Sequence, residues 1–95
     1  MFPKEKDIEV PLLEALIEIG GKGRPRDIYP FVTKRFPKLT EGDLAEIVKS
    51  GNNRWKNRIQ FVRQILVEKG EIDKSTRGIW AITDKGRVRT HSARA

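Results

Sequence analysis

Residues 54–82 read RWKNRIQFVRQILVEKGEIDKSTRGIWAI. The first half of this stretch has a helical period. At about 100° per residue, Ile59, Val62 and Leu66 fall within about 40° of Trp55, so the four share one face. Ile65 and Phe61 widen that face on one flank. Lys56, Asn57, Gln60, Arg63 and Gln64 occupy the outward side, from about 80° to about 200°. The pattern predicts a helix from Arg54 to Lys69, closed by Gly70. Glu71-Ile72-Asp73 and Ile79-Trp80-Ala81-Ile82 then read as strands, and the polar loop Lys74 to Gly78 joins them as a hairpin. A long helix with an apolar back and a polar front, followed directly by a hairpin, is the closing half of a winged helix-turn-helix.

The residues upstream supply the other half. Pro11 suits the first position of a helix, and Leu12, Leu13, Leu16, Ile17 and Ile19 follow with helical spacing until Gly20-Gly21. Lys22 to Arg26 reads as a short extended link. Asp27 is expected to cap a second helix, with Pro30 in its first turn, Ile28, Phe31, Val32 and Phe36 as its stripe, and Pro37 as its stop. Thr40-Glu41-Gly42-Asp43 has the form of a capping box, with Leu44, Ile47 and Val48 as a helical turn behind it. Gly51-Asn52-Asn53 breaks the chain before the long helix. Thr83 to Gly86 is expected as a terminal capped turn, and residues 87–95 as a loosely ordered basic tail. The expected fold class is mainly α with a small β-hairpin (α+β), a winged helix-turn-helix. It forms one domain over residues 1–95, with an ordered core at about 8–86.

Composition narrows the function. A chain of 95 residues buries one modest core and excludes an enzyme with its cleft between lobes. Cysteine is absent, which removes disulfide scaffolds, Cys-type zinc sites and thiol nucleophiles. No apolar run approaches the ~18–20 residues that span a bilayer, and the N-terminus has no signal-peptide core. A soluble, cytoplasmic domain with no membrane partner is the expectation.

The charge is uneven. Residues 1–47 carry 8 Lys/Arg and 9 Asp/Glu, whereas residues 48–95 carry 12 and 4, so the net +7 lies wholly in the second half. No acid stands between Glu46 and Glu68, while Lys49, Arg54, Lys56, Arg58 and Arg63 fall inside that gap. Clustered cations of this kind favour a polyanion, since they displace condensed counterions from phosphates. Amide side chains pair with adenine edges in the major groove, and Lys with guanine. The candidate duplex DNA contacts are therefore Asn53, Arg54, Lys56, Asn57, Gln60, Arg63 and Gln64 on the helix, and Lys74, Ser75, Thr76 and Arg77 in the wing. Arg24 and Arg26 are weaker phosphate candidates. Arg58, at the margin of the apolar stripe, either packs against the first half or joins the DNA set. Two other uses of this surface stand beside DNA: an acidic protein partner, and RNA.

The chain resembles the N-terminal domain of Mrr-type restriction proteins. The resemblance rests on Pro11-Leu12-Leu13-Glu14-Ala15-Leu16 with Gly20-Gly21, on Asn57-Arg58-Ile59, and on Leu66 with Lys69-Gly70-Glu71-Ile72. Its most specific part is Arg77-Gly78-Ile79-Trp80-Ala81-Ile82-Thr83-Asp84-Lys85-Gly86. It implies duplex DNA binding, sequence- or modification-sensing, as a recognition subunit or small regulator linked to restriction. It also implies a separate nuclease or other restriction subunit as partner, because the nuclease half that normally follows is missing and a stand-alone module is expected. Such nucleases use an Asp/Glu-x-Lys metal site, and none of the 13 acids starts that motif. No enzyme activity, cofactor or metal is expected. His91 has no second histidine, and Gly20-Gly21-Lys22-Gly23 lacks the ending of a phosphate loop. The Glu14 and Glu18 pair reads as a solvent face. An aromatic pocket for a modified base is conceivable from Tyr29, Trp55, Phe61 and Trp80. Trp55 and Trp80 stand at core positions, however, and Phe61 is the least committed of the four.

Overall fold

The computed structural model describes residues 2–49 and 51–94. The elements run α1 Glu5–Glu18, β1 Lys22–Gly23, α2 Pro25–Thr33, α3 Glu41–Ala45, α4 Arg54–Glu68, β2 Ile72–Asp73, β3 Trp80–Ile82 and α5 Asp84–Arg94. α4 follows the predicted periodicity, with Trp55, Ile59, Val62 and Leu66 buried along its back. Gly70 ends it at φ 76°, a left-handed conformation that costs glycine little. α1 lies across α4, and Ile8, Leu12, Leu13 and Leu16 meet the α4 stripe. Ile28 and Val32 of α2, with Ile72, Trp80 and Ile82 of the sheet, close the same core.

The sheet has the order β1-β3-β2 and is antiparallel throughout. β3 is central: Ala81 faces Lys22 on one side and Asp73 on the other. The β2–β3 connection is the wing. Helices α1, α2 and α4 with this small sheet make an α+β, winged-helix-like fold.

Several local expectations are corrected. α1 starts at Glu5, so Pro11 lies inside it instead of at its first position. The bond that Pro11 cannot make would have used the carbonyl of Asp7, an exposed residue that water reaches. α2 starts at Pro25, not after Asp27, and Pro30 lies within it. Its buried residues are Ile28, Tyr29 and Val32, with Phe31 and Phe36 only partly covered. The link before α2 is a strand, since Lys22 and Gly23 pair with β3. The capping box forms as predicted, Thr40 Oγ1 accepting the Asp43 amide at 3.0 Å and Asp43 Oδ2 the Thr40 amide at 3.0 Å. Ile47 and Val48, however, are not helical, and Ile47 bridges to Asn53.

The largest correction is α5. The segment expected as a loose tail is helical through residue 94. Thr83 Oγ1 accepts the Gly86 amide at 3.1 Å, so the expected capped turn is instead the helix start. Gly86 is where α5 meets the body: a Cβ there would lie 2.5 Å from the Glu71 carbonyl oxygen and 2.8 Å from Ile82 Cγ1. Only glycine permits that approach.

Candidate nucleic-acid interface

The outward face of α4 carries Lys56, Asn57, Gln60 and Gln64, all exposed and on one side of the buried stripe. Asn53 stands at its start but serves the helix. Its Oδ1 accepts the Lys56 amide at 3.0 Å, and its Nδ2 donates to the Leu44 carbonyl at 2.7 Å. Both ends of the amide are engaged in capping and anchoring the start of α4. Arg54 is also engaged, with Nη1 2.9 Å from Glu46 Oε1. Arg58 Nη1 donates to the Pro3 carbonyl at 3.3 Å and lies over the Phe2 ring, so it packs against the first half through the backbone rather than an acid.

Gln60 and Lys56 have support from α2. Gln60 Nε2 donates to the Tyr29 hydroxyl oxygen at 2.7 Å, and Lys56 Nζ sits 5.6 Å from the centroid of the same ring. Tyr29 meets Trp80 edge-on at 6.0 Å, and the Arg63 guanidinium lies 5.4 Å over Trp80. Lys56, Tyr29, Trp80 and Arg63 thus form a continuous chain, cation to ring to ring to cation, joining α2, α4 and β3. Arg63 is half-buried by this packing, while Lys56 stays open to solvent. Cations placed over rings keep their charge for other partners.

Trp55 and Trp80 are core residues, 2% and 6% exposed. Trp55 Nε1 donates to Thr33 Oγ1 at 2.8 Å, so its one polar atom is satisfied. Phe61, the least committed of the four aromatics, is 58% exposed.

The wing loop places Lys74, Ser75, Thr76 and Arg77 at the surface. Asp73 organises it: Oδ1 accepts the Ser75 amide at 2.8 Å, and Oδ2 the Ser75 hydroxyl at 3.0 Å. The Ser75 backbone amide, with its hydroxyl behind it, holds the Asp73 carboxyl below the usual aspartate range. Ser75 therefore has its hydroxyl proton committed, whereas Lys74 and Arg77 form no ion pair among the described residues.

Carboxylates neutralise cations elsewhere. Glu9 is buried between Lys69 Nζ and Arg89 Nη1, each 2.7 Å away, and Arg89 also reaches Glu71 at 2.7 Å. Burial pulls Glu9 upward, but the hydrogen bonds from Lys69 and Arg89 outweigh it and hold its carboxyl below the usual range. Glu18, expected on a bare solvent face, instead pairs with Lys34 and with Arg35, the latter at 2.8 Å. No cluster of acids and histidines suited to a metal occurs among the described residues. None of their helices is long and apolar enough to cross a membrane.

The predicted residues thus divide. Lys56, Asn57, Gln60 and Gln64 share one surface, Arg63 leads from it toward the wing, and Lys74, Thr76 and Arg77 crown the wing. Sequence reasoning missed the role of Tyr29, treating it only as an aromatic. Its place among the apolar residues of α2 was the available signal, since a buried tyrosine needs a partner for its hydroxyl.

The fold and this surface define a small winged-helix-like domain with a basic face. The Mrr N-terminal domain model matches residues 6–92, nearly the whole chain, and the chain belongs to that family. Membership associates it with restriction-type systems, and the match is to the N-terminal domain, not to a nuclease domain. No curated protein and no solved structure matches it.

Proposed function

We propose that the domain binds duplex DNA, with α4 in the major groove and the wing loop on the adjoining backbone, as the recognition part of a restriction-type system. One observation carries this reading. Lys56 and Arg63 of α4 and Lys74 and Arg77 of the wing form no ion pair among the described residues, whereas Lys34, Arg35, Lys69 and Arg89 are paired by Glu9, Glu18 and Glu71, and Arg54 at the start of α4 by Glu46. A face kept clear of acids over such a length retains its field for an anion. Lys56, Lys74 and Arg77 supply phosphate contacts, with Arg24 and Arg26 as further ones at the start of α2. Asn57, Gln60 and Gln64 face the bases. Chemistry on the DNA lies outside this domain in this reading.

The test is a salt titration of binding to one duplex DNA, the matching duplex RNA and the single strands. With about 4–6 phosphate contacts, the log–log slope for duplex DNA is expected at roughly −4 to −5. RNA is expected to bind more weakly, because its deep, narrow major groove does not admit α4. No binding to duplex DNA at low salt, or a slope near zero, overturns the proposal.

A further inference from the structure

A small cleft of about 180 Å³ opens at the N-terminal half of α4, lined by Tyr29, Asn52, Asn53, Lys56, Asn57 and Gln60. Its floor is the hydroxyl end of Tyr29, a residue otherwise 8% exposed. Gln60 is the exposed side chain tied to that floor, by the 2.7 Å bond from Nε2 to the Tyr29 hydroxyl oxygen. A glutamine on a bare helix surface samples many rotamers, and fixing it on a base costs that freedom. Here the freedom is already lost. The bond uses one of the two hydrogens on Nε2, so one N–H and the whole of Oε1 remain to face outward.

We infer that this cleft is an adenine-reading subsite, in which Tyr29 is a positioning residue that holds the Gln60 amide for one adenine edge. The remaining acceptor and donor complement the two groups adenine shows in the major groove, its N6 amino donor and its N7 acceptor. Guanine shows two acceptors there, and Oε1 would oppose its O6. Lys56, 5.6 Å from the Tyr29 ring centroid, stands beside the amide on the same cleft. Asn53 lines the cleft but is occupied by the cap, and Gln60 is bonded to the Tyr29 hydroxyl, so the discrimination is assigned to Gln60. The inference rests on the duplex DNA reading above and adds a base and a second residue to it.

The experiment selects the preferred duplex for the wild-type protein from a randomised pool. Affinity is then measured for that duplex, for the same duplex with A·T replaced by G·C at each position in turn, and for one carrying 7-deazaadenine. Wild type, Tyr29→Phe and Gln60→Ala are compared. One adenine is expected at which the wild type loses at least about fivefold on exchange to G·C, from a pairing worth about 1–3 kcal/mol. Removing N7 at that adenine is expected to weaken the wild type and leave Gln60→Ala indifferent. Tyr29→Phe keeps the ring, and so is expected to match wild type in melting temperature and salt slope. Its discrimination at that adenine is expected to fall toward that of Gln60→Ala. Tyr29→Phe with undiminished discrimination overturns the positioning role. A preferred guanine at the Gln60-dependent position, or no such position, overturns the subsite while leaving general duplex binding intact. Failure of the wild type to bind any duplex overturns the underlying reading, and the subsite with it.

Discussion

The two sides of the domain treat their cations differently. Beside α1 and α5, Lys69 and Arg89 converge on the buried Glu9 and Arg89 bridges onward to Glu71, while Lys34 and Arg35, just after α2, hold Glu18 of α1. On the side of α4 and the wing, Lys56 and Arg63 are seated over Tyr29 and Trp80. A carboxylate cancels the charge it positions. A ring positions a cation through its quadrupole and leaves the net charge in place. The first arrangement ties elements together, and the second displays charge. Lys56 and Arg63 thus keep their charge on the surface that α4 shares with the wing.

This contrast breaks most severely at Trp80, which supports one cation and fills the core as well. Trp80→Ala is expected to cost about 3–5 kcal/mol, a large share of the stability of so small a domain. Trp55→Ala, which also loses a hydrogen bond to Thr33, is expected to do the same. Thermal or urea unfolding of the two variants measures this. A Trp80→Ala protein that melts like wild type would show that the ring is a binding surface and not core.

The next effect tests the opposite side. Glu9→Gln keeps the shape of the side chain and removes the charge shared by Lys69 and Arg89, with an expected loss of about 1–3 kcal/mol at neutral pH. The pH dependence has a definite sign. The Glu9 carboxyl is held below its ordinary range, so its contribution is present above the unfolded-state value and is lost as pH falls through the lower folded-state value. The gap between wild type and Glu9→Gln is expected to close on acidification through that window. A gap that stays constant would mean that packing, and not charge, is lost in the variant. DNA affinity measured at a temperature where both are folded is expected to be unchanged, because this cluster lies behind the binding face.

How much of this was legible before folding depends on whether the information was local. α4 announced itself because its apolar residues recur on one side and its core is built from that side. The capping box at Thr40 and the turn at Gly70 are encoded within a few residues. The two tryptophans fell at core positions in the same pattern. α5 was hidden because its contact face contains no apolar stripe. It docks through Gly86 and the nearly inaccessible Thr90, and through the charge of Arg89. β1 was hidden because Lys22 and Gly23 have little strand preference and become a strand only by pairing with Trp80 and Ala81. Among the site residues, the exposed face of α4 followed from the helical period. The N-cap at Asn53 is a local bond to the Lys56 amide, but the occupation of Arg54 by Glu46 and of Gln60 by Tyr29 are tertiary facts that periodicity cannot supply.

In the wing, Arg77→Ala removes a cation with no carboxylate partner among the described residues. Binding is expected to weaken by a similar factor on preferred and random duplex DNA, with the salt slope shallower by about 1 unit. Loss confined to the preferred sequence would make Arg77 a base reader. Stability is expected to change little, because the side chain is exposed and unpaired.

The smallest effect lies at the border between the two sides. Arg54 opens α4 but is held by Glu46 at 2.9 Å, with both side chains nearly half exposed. An exposed pair of this kind contributes only about 0–1 kcal/mol, so Glu46→Gln is expected to leave the melting temperature almost unchanged. Its consequence is electrostatic. Arg54 is freed from its acid, and the acid-poor field of α4 extends past its first residue. Affinity for duplex DNA at low salt is expected to rise a few-fold, with the salt slope steeper by up to about 1 unit if Arg54 gains a phosphate. Arg54→Ala in the wild-type background is expected to change neither quantity much, because a neutralised cation contributes little to begin with. If Arg54→Ala instead weakens binding as strongly as Arg77→Ala does, then carboxylate pairing does not silence a cation here. The division between tying and displaying cations would then fail at the place where it is most finely balanced.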